Sequence, residues 1–244
     1  AVDYNEAPQL KKLVDEGELL PVEERLPEEP LVVPVRDSIG EYGGDWKMGF
    51  AGGHGIHPMP RAGGYENLVN FDAEWTGVVP NIAKSWKVNE DATEYTFYLR
   101  KGMKWSDGVP FTADDILFWF EDIALNEELN PGGAPSWMKR EGKVGTVEKI
   151  DDYTVVFKFP QTHGLFLYRL AAGTNPVCRN PKHYYKQFHP KYTDQAQLDK
   201  LIKEAGVSTW VDLFELKGGI GGYESRFRND ELPQLWPWIV TKAP

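Results

Sequence analysis

The sequence predicts an α/β protein, and three observations carry the prediction. The stretches EYTFYLR and YTVVFKF alternate apolar and polar side chains with a period of two, as half-buried strands do. Between them lies FTADDILFWFEDI, where apolar residues return at helical spacing behind a capping signal. The 244-residue chain is 41% hydrophobic and 26% charged, the balance of a folded chain that buries a core, as one large domain or two small ones.

Taken in order, Pro8 to Gly17 reads as a short amphipathic helix. The polar, proline-punctuated run PVEERLPEEP follows and is expected to lie on the surface as an arm. LVVPV opens an apolar segment, and IGEYGGDWKMGFAGGHG gives a Gly-rich turn, a strand at Trp46 to Phe50, and a second Gly-rich loop. A loop that flexible at a strand end suits ligand contact. In EYTFYLR, Tyr95, Phe97 and Leu99 share one face, and in YTVVFKF so do Tyr153, Val155, Phe157 and Phe159. The DDY before the second strand turns the chain back from VEKI, which makes a β-hairpin.

The segment WSDGVPFTADDI places two adjacent acids at the start of a helix. SDG is a turn, Pro110 stiffens the approach, and Thr112 with Asp115 three residues on has capping-box spacing. Ile116, Trp119, Phe120 and Ile123 then line one face, expected to pack on the hairpin. Asp114 and Asp115 fall in the first turn, where unpaired N–H groups and the helix dipole favour carboxylates by about 0.3–1 kcal/mol each. Adjacent helical residues point about 100° apart, a poor geometry for shared acid/base work, so the pair reads as structural rather than catalytic.

Several function classes fall away on composition. A formal net charge of −10 with no basic stripe excludes nucleic acid and anionic membrane as partners. No apolar run is long enough to span a bilayer, and the opening AVDYNEAP has no targeting pattern, as expected of a mature exported chain. The single Cys178 excludes an intrachain disulfide. His183 lies five residues from it, but two prolines in PVCRNPKHYY break helical alignment, which favours a buried small thiol over a nucleophile. His54 and His57 in HGIH lack the further ligands that zinc requires, so no metal is expected. GxSxG, HExxH and P-loop patterns are absent, GGIGGY reads as a loop, and neither a catalytic residue nor a cofactor is assigned. Most of the nine Trp residues are expected to pack. NPKHYYKQFHPKY and LWPWIV read as packing surfaces, with a cleft face as the alternative for Trp236 and Trp238 on one side of a strand. A carbohydrate-active enzyme with two separated carboxylates is the competing class, and no such pair is identified.

The segment NIAKSWKVNEDATEYTFYLRKGMKWSDGVPFTADDILFWFE closely resembles the signature region of the family 5 extracellular solute-binding proteins, the oligopeptide- and dipeptide-binding receptors of ABC importers. The matching features run in order: Ala83, Ser85 and Trp86; the strand Thr96, Phe97, Leu99 and Arg100; the pair Lys101 and Gly102; then Trp105, Asp107, Gly108 and Pro110 through Asp115. VEKIDDYTVVFKFPQ is similar to the hairpin that follows in the family, and the resemblance covers Leu31 to Pro160 best.

That resemblance implies a periplasmic-binding-protein-like fold (type II, cluster C), with residues 1–64 starting lobe I behind the N-terminal arm, 65–165 forming an extra subdomain, and 166–244 returning to lobe I. Family members are much longer, so the second lobe is expected to lie outside this sequence. The implied function is capture of an oligopeptide, or alternatively an oligosaccharide, and delivery without chemical change to the membrane subunits of an ABC permease. A monomer in the periplasm is expected, taking Ala1 as the mature start. Expected ligand contacts are Gly52, Gly53 and His54 in the Gly-rich loop, Trp137 from the subdomain, and Asn175 at the return turn.

Overall fold

Alternating strand patterns and one capped helix account for the centre of the molecule. The computed structural model describes residues 4–47, 66–172, 175–220 and 223–238. Strands β1 (Val69–Phe71) and β2 (Val78–Pro80) pair antiparallel around a turn held by Asp72, which accepts from the Thr76 amide and hydroxyl, both at 2.7 Å. Then come β3 (Ala83–Val88) and β4 (Glu94–Leu99), the small pair β5 (Lys139–Arg140) and β6 (Lys143–Val144), and β7 (Thr146–Asp151) and β8 (Thr154–Lys158).

The main sheet has the order β3-β4-β8-β7, antiparallel throughout. Both strands read from alternation are its inner members, and DDY makes the β7–β8 turn as expected. Tyr95, Phe97, Leu99, Val155, Phe157 and Phe159 are buried on one face, as a period of two requires. Val156, on the opposite face, is buried too, because its register partners Thr96 and Glu148 flank it on both sides of an inner strand.

The signature helix α3 (Ala113–Leu117) follows two short helices of the arm, α1 (Pro8–Asp15) and α2 (Val22–Arg25). Its N-terminus carries the capping box read from the sequence: the Thr112 hydroxyl accepts from the Asp114 amide, and Asp115 accepts from the Thr112 amide at 3.0 Å. The helix then continues as a π-helix over Phe118–Ala124. The wider winding explains why Phe118 joins Ile116, Trp119, Phe120 and Ile123 in the core although α-helical periodicity leaves it off that face.

The arm lies on the surface, with no buried residue in 4–47. The strand expected at Trp46–Phe50 runs out of the described residues at Lys47. Beyond the sheet the chain is helical: α4 (Phe166–Ala171), α5 (Lys182–Tyr185), α6 (Gln195–Ala205), α7 (Trp210–Leu216) and α8 (Tyr223–Phe227). Tyr184, Tyr185 and Phe188 of the NPKHYYKQFHPKY run are buried packing residues, as expected. Trp236 and Trp238 do not share a strand face: they sit in an irregular bend, Trp236 packed on Phe227 with ring centroids 5.4 Å apart and Trp238 exposed.

Candidate functional site

The adjacent acids of the signature helix have separate structural tasks. Asp114 points outward and pairs with Lys149 at 2.8 Å. Asp115 is buried, and its two oxygens accept from the backbone amides of Thr112 and, at 2.9 Å, Lys182, with the Trp105 indole N–H further off at 3.4 Å. Burial raises its pKa against the pull of those donors. The carboxylate thus bolts the start of α3 to the start of α5. Cys178 is buried and its thiol is pushed well up by desolvation, which suits the inert packing role expected of it. His183 bonds instead to Asp107 at 2.7 Å.

Of the five expected ligand contacts, Gly52, Gly53 and His54 lie outside the described residues, as does His57. Trp137 sits in a 3-10 turn (Ser136–Met138), half-buried, its ring stacked on Trp119 at 5.8 Å and 6°. Asn175 is buried; its amide donates to the Leu170 carbonyl at 2.5 Å and its oxygen accepts from the Val177 amide, so it caps the end of α4 and shapes the turn after it. Its side chain is thereby committed to backbone partners.

Neither Trp137 nor Asn175 lines the cavity of about 140 Å³ nearby, although Trp119, on which Trp137 stacks, and Pro176, next to Asn175 in sequence, do. Trp119, Asn130, Pro176, Arg179, Asn180 and Arg226 are among its walls. Arg226 is buried, and its guanidinium donates at 2.7 Å to the Arg179 carbonyl and to the Asn180 side-chain oxygen, both neutral acceptors. The cavity thus lies beside an indole, a buried cation and an amide, with Trp119 stacked on Trp137 and Arg226 and Asn180 bonded to each other. Trp119, Asn180 and Arg226 are wall residues that the sequence left unmarked. The apolar spacing of Trp119 signalled a core position and nothing more, and no spacing links Arg226 to Asn180.

This architecture, an antiparallel subdomain sheet with a capped helix and a helical return, is that of the periplasmic binding proteins. Residues 77–208 match the model of the bacterial extracellular solute-binding proteins, family 5 (middle part), and the chain belongs to that family. It is 36% identical over 213 residues to the periplasmic alpha-galactoside-binding protein of Rhizobium meliloti, covering 75% of this chain and 29% of the relative. Among solved structures, an oligopeptide-binding protein OppA matches 99% of this chain with a TM-score of 0.88 at 43% identity, over 36% of that chain. The binding protein MelB of Agrobacterium fabrum, in complex with stachyose, matches 82% with a TM-score of 0.60 at 34% identity, over 33% of that chain. The chain thus spans about a third of the relatives it matches, which are binding proteins by name. No helix among the described residues is long and apolar enough to cross a membrane.

Proposed function

We propose that the chain is part of the substrate-binding component of an ABC importer, capturing an oligopeptide or similar small solute and delivering it unchanged to membrane permease subunits. The observation that carries this reading is the likeness to the oligopeptide-binding OppA along 99% of the chain. In this reading residues 1–64 start lobe I, 65–165 form the extra subdomain, and 166–244 return to lobe I, with the protein exported to the periplasm and acting as a monomer without catalysis. Gly52, Gly53, His54, Trp137 and Asn175 are the proposed ligand contacts, Asn175 acting through the turn it shapes.

A second reading, an oligosaccharide as the solute, is supported by the alpha-galactoside-binding relative and by MelB with its stachyose. The half-buried Trp137 indole suits a sugar face as well as a peptide side chain. Thermal unfolding followed against tri- and tetrapeptides and against stachyose tests both. A saturable rise in melting temperature with peptides alone supports the first reading, and a rise with stachyose alone supports the second. Release of chemically altered solute would sink both and return the enzyme class.

A further inference from the structure

A second cavity, of about 190 Å³, lies on the subdomain beside Trp137, and we propose that it binds a small organic carboxylate. Its walls are Ser136, Trp137 and Arg140 from the 3-10 turn and β5, facing His163, Leu165 and Arg169 from the entry to α4.

The charge is one-sided. Two guanidinium groups line the space and no Asp or Glu does, in a chain whose net charge is −10. Glu141, next to Arg140 in sequence, is occupied by Gln161 at 2.5 Å. Arg169 is exposed, and its guanidinium makes no hydrogen bond or ion pair with a described residue. Arg140 bonds through Nη2 to His163 Nδ1, and its Nε is buried with no partner.

His163 prepares the site rather than adding a third cation. Its Nε2–H donates to the Trp137 carbonyl at 2.8 Å, so Nδ1 is left as the acceptor that aims the Arg140 fork. Burial, then the charges of Arg140 and Arg169, hold its pKa down and keep the ring neutral. The free Arg169 fork matches the two oxygens of a carboxylate, Arg140 adds its charge, and Ser136 adds a hydroxyl. Trp137 and Leu165 supply apolar wall for the carbon body of such an anion, which inorganic phosphate would not use. The assignment shares Trp137 with the proposed solute contacts but is carried by Arg140, His163 and Arg169, which that reading does not use.

The test is fluorine NMR of trifluoroacetate titrated with the chain. Saturable line broadening is expected, displaced by propanoate, with trifluoroethanol giving none. Arg169→Gln should weaken binding about tenfold or more, the loss of a charge-assisted contact. Because Arg169 is exposed this variant keeps its fold, and Arg140→Gln should weaken binding at least as much. Lys203→Gln on the exposed side of α6 should change nothing. Undiminished broadening in both arginine variants would overturn the site. Phosphate displacing trifluoroacetate more tightly than propanoate does would overturn the carboxylate class. Failure to bind peptide or stachyose would leave the proposal standing and count only against the import reading.

Discussion

The subdomain sheet and the N-terminal arm meet at the turn after Arg100, and they are held by different physics. On the sheet side Phe97 packs edge-on against Phe157 at 5.7 Å and Phe166 at 6.4 Å, all three fully buried. On the arm side nothing is buried, and polar pins do the holding. Arg100 reaches the Glu29 carbonyl at 2.6 Å, Lys104 the Glu24 carbonyl at 2.6 Å, and the Glu28 amide the Lys101 carbonyl at 2.9 Å. A buried Phe side chain contributes about 1.5–3 kcal/mol, a typical hydrogen bond about 0.5–1.5 net. The sheet therefore sets global stability, while the arm is the part that opens locally.

The largest effect that sharpens this contrast is Phe97→Ala. It should cost about 3–5 kcal/mol in urea unfolding, because the ring's removal leaves a cavity among aromatics that cannot collapse. A loss below about 1 kcal/mol would mean the sheet is not the stability centre. Next comes Asp115→Asn, which sets an NH2 group against N–H donors and should cost about 1–3 kcal/mol. Asp114→Asn removes only a half-exposed pair with Lys149 and should cost under about 1 kcal/mol. Solute binding should survive both, and equal losses would break the distinction between bolt and surface pair.

How much of this was legible follows the same division. Period-two alternation exposed β4 and β8, and the Thr112–Asp115 spacing exposed the cap, since each rests on residues close in sequence. The π-helical winding that buries Phe118 has no local signature, and helical periodicity misplaced that residue. The cavity walled by Trp119, Asn180 and Arg226 has no signature in the sequence, because it is assembled from elements far apart in the chain. Arg100 was visible only as a signature position, since its task is to grip carbonyls of the arm, and backbone acceptors carry no residue identity.

Arg100→Ala tests that grip. It removes the bond that the Asn81 carbonyl accepts from Arg100 Nε at 2.7 Å and the one to the Glu29 carbonyl, at a cost of about 1–3 kcal/mol. Limited proteolysis should then cut within 24–30 while the remainder stays protected. Arg100→Lys should rescue little, because one ammonium cannot span both carbonyls as the planar fork does. Unchanged cleavage would show that the remaining pins, the Lys104–Glu24 and Glu28–Lys101 hydrogen bonds and the ion pairs Lys84–Glu29 and Lys101–Glu28, hold the arm without Arg100.

The smallest effect is a slope with pH, and it should belong to one side of the contrast. His163 and His189 have pKa values lowered by burial, so the folded state binds fewer protons than the unfolded chain just below 6.5. Their contribution is full above the unfolded value of 6.5 and is lost as pH falls toward the depressed folded values. Urea unfolding should therefore grow easier as the solution is acidified through that window. His163→Asn with His189→Asn should flatten this part of the slope. The arm contains no histidine, so Arg100→Ala should shift the whole curve down without changing that slope. A histidine double variant that keeps the full slope would move its origin to carboxyls with lowered pKa such as Glu29 and Asp72; Asp115 and Glu66, raised by burial, make stability fall as pH rises, the opposite sign.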